Sequence, residues 1–251
     1  MAKKVTSQNV SSDRVTDARA RLFKLFKERP MPDEELLVNL YMYMRSGSLA
    51  KLLFLDEIYR KIVQLPGAIF EFGVWMGAST IAFENLRAVH EPYNYQRRIV
   101  AFDTFQGYTG ISLNDISSEI IGDGVYTVAE GYERYLEDLL DYHETENVMS
   151  HIKKHTLVKG DASVTCSNYL DENPHQLIAL AYFDMALYEP TRACLKAIKP
   201  RLMKNSIIVF DELCNSDYPG ETKAFLEVFG TEGYSIYRSN ILPDRTYLVI
   251  G

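Results

Sequence analysis

From Ala68 to Ile250, short β-favouring apolar runs alternate with stretches of helical periodicity. This alternation constrains the fold more than any other feature of the 251-residue chain. Ala68 to Val74, Arg98 to Thr104, His155 to Lys159, Ile178 to Asp184 and Ser206 to Asp211 read as strands. Ala78 to Val89, Pro190 to Leu202 and Glu221 to Phe229 read as helices. Continuous apolar strands belong to a parallel sheet covered on both faces. Their alternation with helices predicts a doubly wound, mostly parallel α/β sheet of seven strands. The last two strands, Tyr234 to Arg238 and Thr246 to Ile250, are separated by the loop Asn240 to Asp244. That loop is too short for a crossover helix, so an antiparallel C-terminal hairpin is expected.

The N-terminal third has a different texture. Residues 1–12 are polar, and helical spacing then runs from Asp13 to Glu28, from Glu34 to about Met44, and from Leu49 to Val63. Arg29-Pro30-Met31-Pro32 and the turn Arg45-Ser46-Gly47-Ser48 separate these stretches. Residues 1–66 are therefore expected to form a helical cap and residues 67–251 a catalytic domain. Periodicity leaves open whether those helices cap the domain or pair with a second copy in a homo-oligomer. Residues 107–150, with the turn Gly122-Asp123-Gly124 and an acidic amphipathic stretch from about Ala129 to Tyr142, are too long for a plain crossover. They suit a lid-like insertion beside the site.

Composition removes several classes of function. The chain carries 34 acidic and 27 basic side chains, a net charge of −7, with no basic block. Nucleic-acid backbones are bound by clustered Lys and Arg, so no nucleic-acid partner is expected. The longest apolar run, Leu177 to Phe183, falls far short of the roughly 20 residues that span a bilayer. No membrane partner is expected, and no apolar signal core follows the basic Met1-Ala2-Lys3-Lys4. Cys166, Cys194 and Cys214 are widely spaced and odd in number, which argues against a disulfide framework or structural zinc. Three reduced, mostly buried thiols in a cytoplasmic protein are the expectation.

In open α/β sheets ligands bind beyond the carboxyl ends of the strands. The first strand ends Glu71-Phe72-Gly73-Val74-Trp75-Met76-Gly77-Ala78-Ser79, a glycine loop opening a helix whose free N–H groups face the pocket. The tight GxG turn that seats a pyrophosphate is missing. A small-residue loop with a carboxylate one turn back suits a ligand with a cationic amino-acid end, such as S-adenosylmethionine. The second strand ends Asp103-Thr104-Phe105, 26 residues past Gly77, where an acid accepts ribose hydroxyls. Asp161-Ala162, after the third strand, offers an acceptor for an adenine amino group or an N-cap for the next helix, and both roles stand together. Arg45 offers a fork for the methionine carboxylate, or a cation at a helix end. Trp75, Tyr41, Tyr43 and Tyr108 offer an apolar wall, or ordinary packing.

Asp184 ends the fourth strand and Asp211-Glu212 ends the fifth. Three carboxylates converging in a partly dry cleft repel one another unless a cation joins them. A hard divalent ion such as Mg²⁺ answers that demand. The alternative is that one carboxyl serves as a raised-pKa general base with no metal.

Residues 67–229 resemble the macrocin O-methyltransferase family. The resemblance is carried by Pro66-Gly67, Glu71-x-Gly73-Val74-Trp75-x-Gly77 and Asp103-x-Phe105-x-Gly107. It continues in Asp184-x-x-Leu187-Tyr188-Glu189-Pro190-Thr191, Asp211-Glu212 and Tyr218-Pro219-Gly220. It implies a Rossmann-like methyltransferase sheet and S-adenosylmethionine-dependent O-methylation of a deoxysugar, either nucleotide-activated or part of an antibiotic glycoside. It also implies a metal on Asp184, Asp211 and Glu212. Asp184 is the first candidate for the proton acceptor, since a carboxylate can bridge metal and hydroxyl. Ala186 stands where the family often has a second acid, and Glu212 where it often has Asp. No family-like histidine base follows Gly107. His143, His151 and His155 are weaker base candidates. The donor-binding set is then Glu71, Phe72, Gly73, Gly77, Ala78, Ser79, Asp103, Thr104, Phe105, Asp161 and Ala162, with Arg45. A nicotinamide-dependent oxidoreductase is the alternative enzyme class, disfavoured by the absent GxGxxG and Tyr-x-x-x-Lys. A non-catalytic cofactor-binding module is the third reading.

Overall fold

The computed structural model describes residues 12–115, 121–122 and 124–251. The polar segment 1–11, part of the 107–150 insertion and Asp123 of its turn lie outside the described residues. Three helices come first: α1 (Asp13–Lys27), α2 (Asp33–Val38) and α3 (Ser46–Ile62). The alternating part follows as β1 (Ala68–Phe72), α4 (Ala78–His90), β2 (Ile99–Asp103), α5 (Tyr132–Glu146) and β3 (His155–Lys159). It continues with α6 (Ala162–Glu172), β4 (Ile178–Phe183), α7 (Tyr188–Ile198), β5 (Leu202–Phe210) and α8 (Gly220–Val228). The hairpin β6 (Tyr234–Arg238) and β7 (Thr246–Ile250) closes the chain.

The seven strands form one sheet in the order β3-β2-β1-β4-β5-β7-β6. The first five are mutually parallel, β7 pairs antiparallel with β5, and β6 pairs antiparallel with β7. The doubly wound sheet and its hairpin are as the alternation predicts. Both faces are covered. On one, Phe54, Leu55, Ile58 and Ile62 of α3 pack on Ile69, Leu180 and Val209. On the other, Cys166 and Leu170 of α6, Leu195 and Ile198 of α7 and Phe225 of α8 pack on Phe70, Ala181 and Ile208.

Several boundaries differ from the periodicity, two of them with a clear local cause. The stretch expected to run as one helix to Met44 stops at Val38 and tightens into a 3₁₀ turn, Leu40–Tyr43. Asn39 causes the break, its side-chain amide donating to the Glu35 carbonyl at 2.8 Å. Short polar side chains that bond the local backbone compete with the helix in this way. The fifth strand begins at Leu202 rather than Ser206, because a register shift beside left-handed Asn205 accommodates the polar Lys204-Asn205 pair.

The helical segment is not uniform. α1 buries no residue, and Leu37, Val38, Tyr41 and Met42 are exposed. α3 is embedded. Fully buried Arg97 donates to the carbonyls of Ile62 at 2.9 Å and Leu65 at 2.7 Å, and also to Gly67. The Tyr59 hydroxyl donates to Glu91 at 2.7 Å. The end of α3 is therefore fastened to the start of the sheet.

Candidate active site

Four phenylalanines, one from each of β2, β1, β4 and β5, lie side by side across the sheet. Ring centroids are 5.0 Å apart for Phe102–Phe72, 4.6 Å for Phe72–Phe183 and 5.3 Å for Phe183–Phe210. Each is the residue before a strand-end position, so Asp103, Gly73, Asp184 and Asp211 emerge in one row above an aromatic floor. A cavity of about 560 Å³ opens there, a size typical of small-molecule sites.

The loop after β1 is shaped by glycine. Gly73 has φ +88°, and a Cβ there would lie 2.1 Å from the Asp184 carbonyl oxygen. Only glycine lets the two strand ends approach so closely. α4 then starts without a side-chain cap, so its N-terminal residues Ala78 and Ser79 meet the cavity as bare helix. The Asp103 carboxylate moors this loop, accepting from Val74 N at 2.6 Å, Trp75 N at 2.8 Å and Phe105 N at 2.6 Å. Asp161 caps α6, accepting from Ser163 N at 2.9 Å, and also lines the cavity. Glu71 is buried in the wall, and the Thr80 hydroxyl donates to it at 2.6 Å. Burial pushes its carboxyl up to about 8.

The acid-rich end is held by residues that sequence reasoning missed. Lys51 reaches in from α3 and sits 3.5 Å from Asp184. Arg245 forms an ion pair with Asp211. Fully buried Glu221, the second residue of α8, accepts from Ala186 N at 3.2 Å and Glu212 N at 3.0 Å, and at 3.4 Å from Met185 N. It thereby ties the loop after β4 to the loop after β5. Burial, with the nearby Asp184 charge, holds the Asp211 carboxyl well above the usual carboxylate range, and burial raises Glu212 as well. Tyr108, Tyr126 and Tyr218 form an aromatic side wall with Trp75, whose buried indole N–H has no acceptor among the described residues.

The cavity thus brings together Glu71, Gly73, Ala78, Ser79, Asp103, Thr104, Asp161, Ala162, Asp184, Asp211 and Glu212. It does not include four of the expected donor residues. Phe72 is consumed by the aromatic floor. Gly77 is left-handed and lies under Leu136, and Phe105 packs behind the loop with Val74 and Leu140. Arg45 stands before α3, outside the lining, and the cation that enters is Lys51. Tyr41 is exposed, and Tyr43 packs on Phe26. No histidine lines the cavity among the described residues. His155 is buried elsewhere, with Asp141 at 3.1 Å.

A family profile described as a methyltransferase domain matches residues 70–213. The chain belongs to that family. A crystal structure of CalS11, a calicheamicin methyltransferase, is 40% identical to this methyltransferase. It covers 100% of this chain and 98% of its own, with a TM-score of 0.94. An apo structure of CalS11, there described as a TDP-rhamnose 3'-O-methyltransferase of calicheamicin biosynthesis, is 41% identical over 96% of each chain, with a TM-score of 0.85. The O-methyltransferase NovP, 17% identical over 80% of this chain and 79% of its own, shares the fold with a TM-score of 0.58. A search of the curated proteins finds no match. The family resemblance drawn from the motifs is borne out, and the oxidoreductase and non-catalytic readings give way to a methyltransferase. No helix among the described residues is long and apolar enough to cross a membrane.

Proposed function

We propose that this methyltransferase moves a methyl group from S-adenosylmethionine to a hydroxyl of a deoxysugar, with a divalent metal assisting. The observation that carries the reading is one cavity joining Gly73 of the loop after β1 and the bare N-terminus of α4 to three strand-end carboxylates. The TDP-rhamnose activity of a relative 41% identical supports a nucleotide-linked deoxysugar as acceptor over a finished glycoside. We read residues 1–66 as the accessory segment and 67–251 as the catalytic part, with Tyr108 and Tyr126 of the lid-like insertion contributing to the side wall over the acceptor. The free thiols Cys166, Cys194 and Cys214 support a reducing, cytoplasmic setting.

The residues present fit both groups. For the donor there is a buried carboxyl at Glu71 and an uncapped helix N-terminus. For the metal the donor set is all oxygen, as a hard divalent ion prefers. The crowding of Asp184 against Asp211 and Glu212 creates the demand for positive charge. Lys51 and Arg245 meet part of that demand in the free chain, so metal binding competes with them for Asp184 and Asp211. Among the described residues these three acids are not a group whose oxygens all lie within 4.8 Å of one another.

When bound, the donor supplies an electrophilic methyl on sulfur and the metal supplies Lewis acidity at the acceptor hydroxyl. Glu71 receives the ammonium end. Asp103 fixes the loop that frames the ribose, and Asp161 faces the adenine side. Asp184, Asp211 and Glu212 would hold the metal, and Asp184 takes the hydroxyl proton. Trp75, Tyr108, Tyr126 and Tyr218 flank the sugar and exclude water. Positioning of hydroxyl against sulfonium supplies much of the rate, since a bimolecular encounter becomes a near-attack arrangement.

The test is mass spectrometry on a panel of nucleotide-linked deoxysugars, TDP-rhamnose included, incubated with S-adenosylmethionine and Mg²⁺. A gain of one CH₂ on a sugar nucleotide supports the reading, and no methylated product from any acceptor refutes it. Unchanged turnover in EDTA refutes the metal alone.

A further inference from the structure

Among the described residues, the cavity wall carries seven carboxylates and a single basic side chain, Lys51. A ligand that brings an anionic group into this space therefore meets only one lining cation. Lys51 is not a drifting surface lysine. It stands in the second turn of α3, on the face continued by fully buried Phe54, Leu55 and Ile58. Its ammonium is 3.5 Å from Asp184 and 5.9 Å from the centre of the Tyr182 ring, and its charge acts on Glu71. Both members of the Lys51–Asp184 pair keep about a third of their side-chain surface exposed. Their contact is long for a charge-assisted hydrogen bond, so a better acceptor can displace Asp184.

The methyl donor of the proposed reaction is a zwitterion at its methionyl end, with ammonium and carboxylate on one carbon. A site that accepts the ammonium on Glu71 must place the carboxylate beside it, against a wall whose other charged side chains are all acids. We propose that Lys51 binds the α-carboxylate of the methyl donor, so that helix α3 of the accessory segment completes the donor site. This rests on S-adenosylmethionine being the donor. Engaging the carboxylate draws Lys51 off Asp184 and leaves that acid free for the acceptor hydroxyl.

The test compares binding of S-adenosylmethionine with that of decarboxylated S-adenosylmethionine, which keeps the sulfonium, ammonium and nucleoside. Isothermal titration on the full chain is expected to show the parent favouring the carboxylated donor by about tenfold or more, the scale of a hydrogen bond between charged partners. In Lys51→Met that preference disappears: the carboxylated donor weakens by about the same factor, and the decarboxylated one does not weaken. Lys51→Arg restores part of the preference. Equal weakening of both ligands in Lys51→Met makes Lys51 a merely structural residue and overturns the assignment. So does a parent chain that binds both ligands equally, a measurement needing no variant. A parent that binds neither ligand at millimolar concentration overturns the donor reading itself, and the Lys51 assignment with it.

Discussion

Replacing Glu221 with alanine tests how the acid-bearing loops are held. The carboxylate accepts from Ala186 N at 3.2 Å and Glu212 N at 3.0 Å, one on each loop. Alanine leaves both amides without their acceptor, the Ala186 amide buried and the Glu212 amide part-buried. A buried donor stripped of its partner costs about 1–3 kcal/mol, so the pair together costs about 4 kcal/mol, taking the middle of that range. For a chain of this length about 2–4 °C of melting temperature is lost per kcal/mol, which puts the Glu221→Ala midpoint about 8–16 °C below the parent. Glu221→Gln keeps one carbonyl acceptor and should fall by about half as much. Scanning calorimetry gives the midpoints, and steady-state kinetics gives a second readout. Glu221 touches the loops of Asp184 and Glu212 and not the donor cradle. The glutamine variant should therefore lose kcat while its KM for the donor stays near the parent value. An alanine variant melting within about 2 °C of the parent, less than the loss of one such donor, would refute the claim that this carboxylate joins the two loops.

Three further outcomes follow from the same geometry. Burial lifts Glu71 from its ordinary value of 4.5 to about 8, so its contribution to stability is full in acid and declines as pH rises through about 8. An arriving ammonium favours the charged form, so donor binding near neutral pH should release a proton. Titration calorimetry in two buffers of different ionisation enthalpy detects that release, which Glu71→Gln should abolish. Gly73→Ala forces a Cβ to within 2.1 Å of the Asp184 carbonyl at φ +88°, and should cost about 2 kcal/mol from backbone strain alone together with most of the activity. An active variant of unchanged midpoint would mean that the two strand ends can separate freely. Arg87→Met removes the fully buried guanidinium between Glu84 and Glu144, and should cost about 3–5 kcal/mol in urea titration because buried Glu84 loses its cation, while Glu144 keeps Lys154.

The sheet was legible because its strands are apolar without interruption, and a row of acids at strand ends needs no tertiary information to be seen. The acids Asp184, Asp211 and Glu212 do line one cavity for that reason. Sequence alone did not disclose what neutralises and aligns them. Lys51 precedes buried Phe54, Leu55 and Ile58 at helical spacing, and Glu221 precedes buried Ala224 and Phe225 in the same way. A charge on the apolar face of a helix was the available signal in both cases, since such a face is otherwise turned to the core. Arg45 stands beside Ser46-Gly47-Ser48, which in the sequence reads as a turn. Ser46, Gly47 and Ser48 instead form the first turn of α3, and the functional cation lies a turn and a half further on. Phe72 and Phe105 stand within the motifs yet serve packing, because residue order along a loop does not say which side chains turn back into the floor.

The embedding of α3 bears on how such a chain can be recombined. A cut at residues 66–67 respects the change in sequence texture but strips Phe54, Leu55, Ile58, Tyr59 and Ile62 from the sheet. It also leaves Arg97 without the Ile62 and Leu65 carbonyls. A crossover placed before Ser46 carries the sheet's own covering helix, and Lys51 with it, into a chimera. Of the described residues, only α1, α2 and the 3₁₀ turn are then left to be exchanged between relatives as a true module.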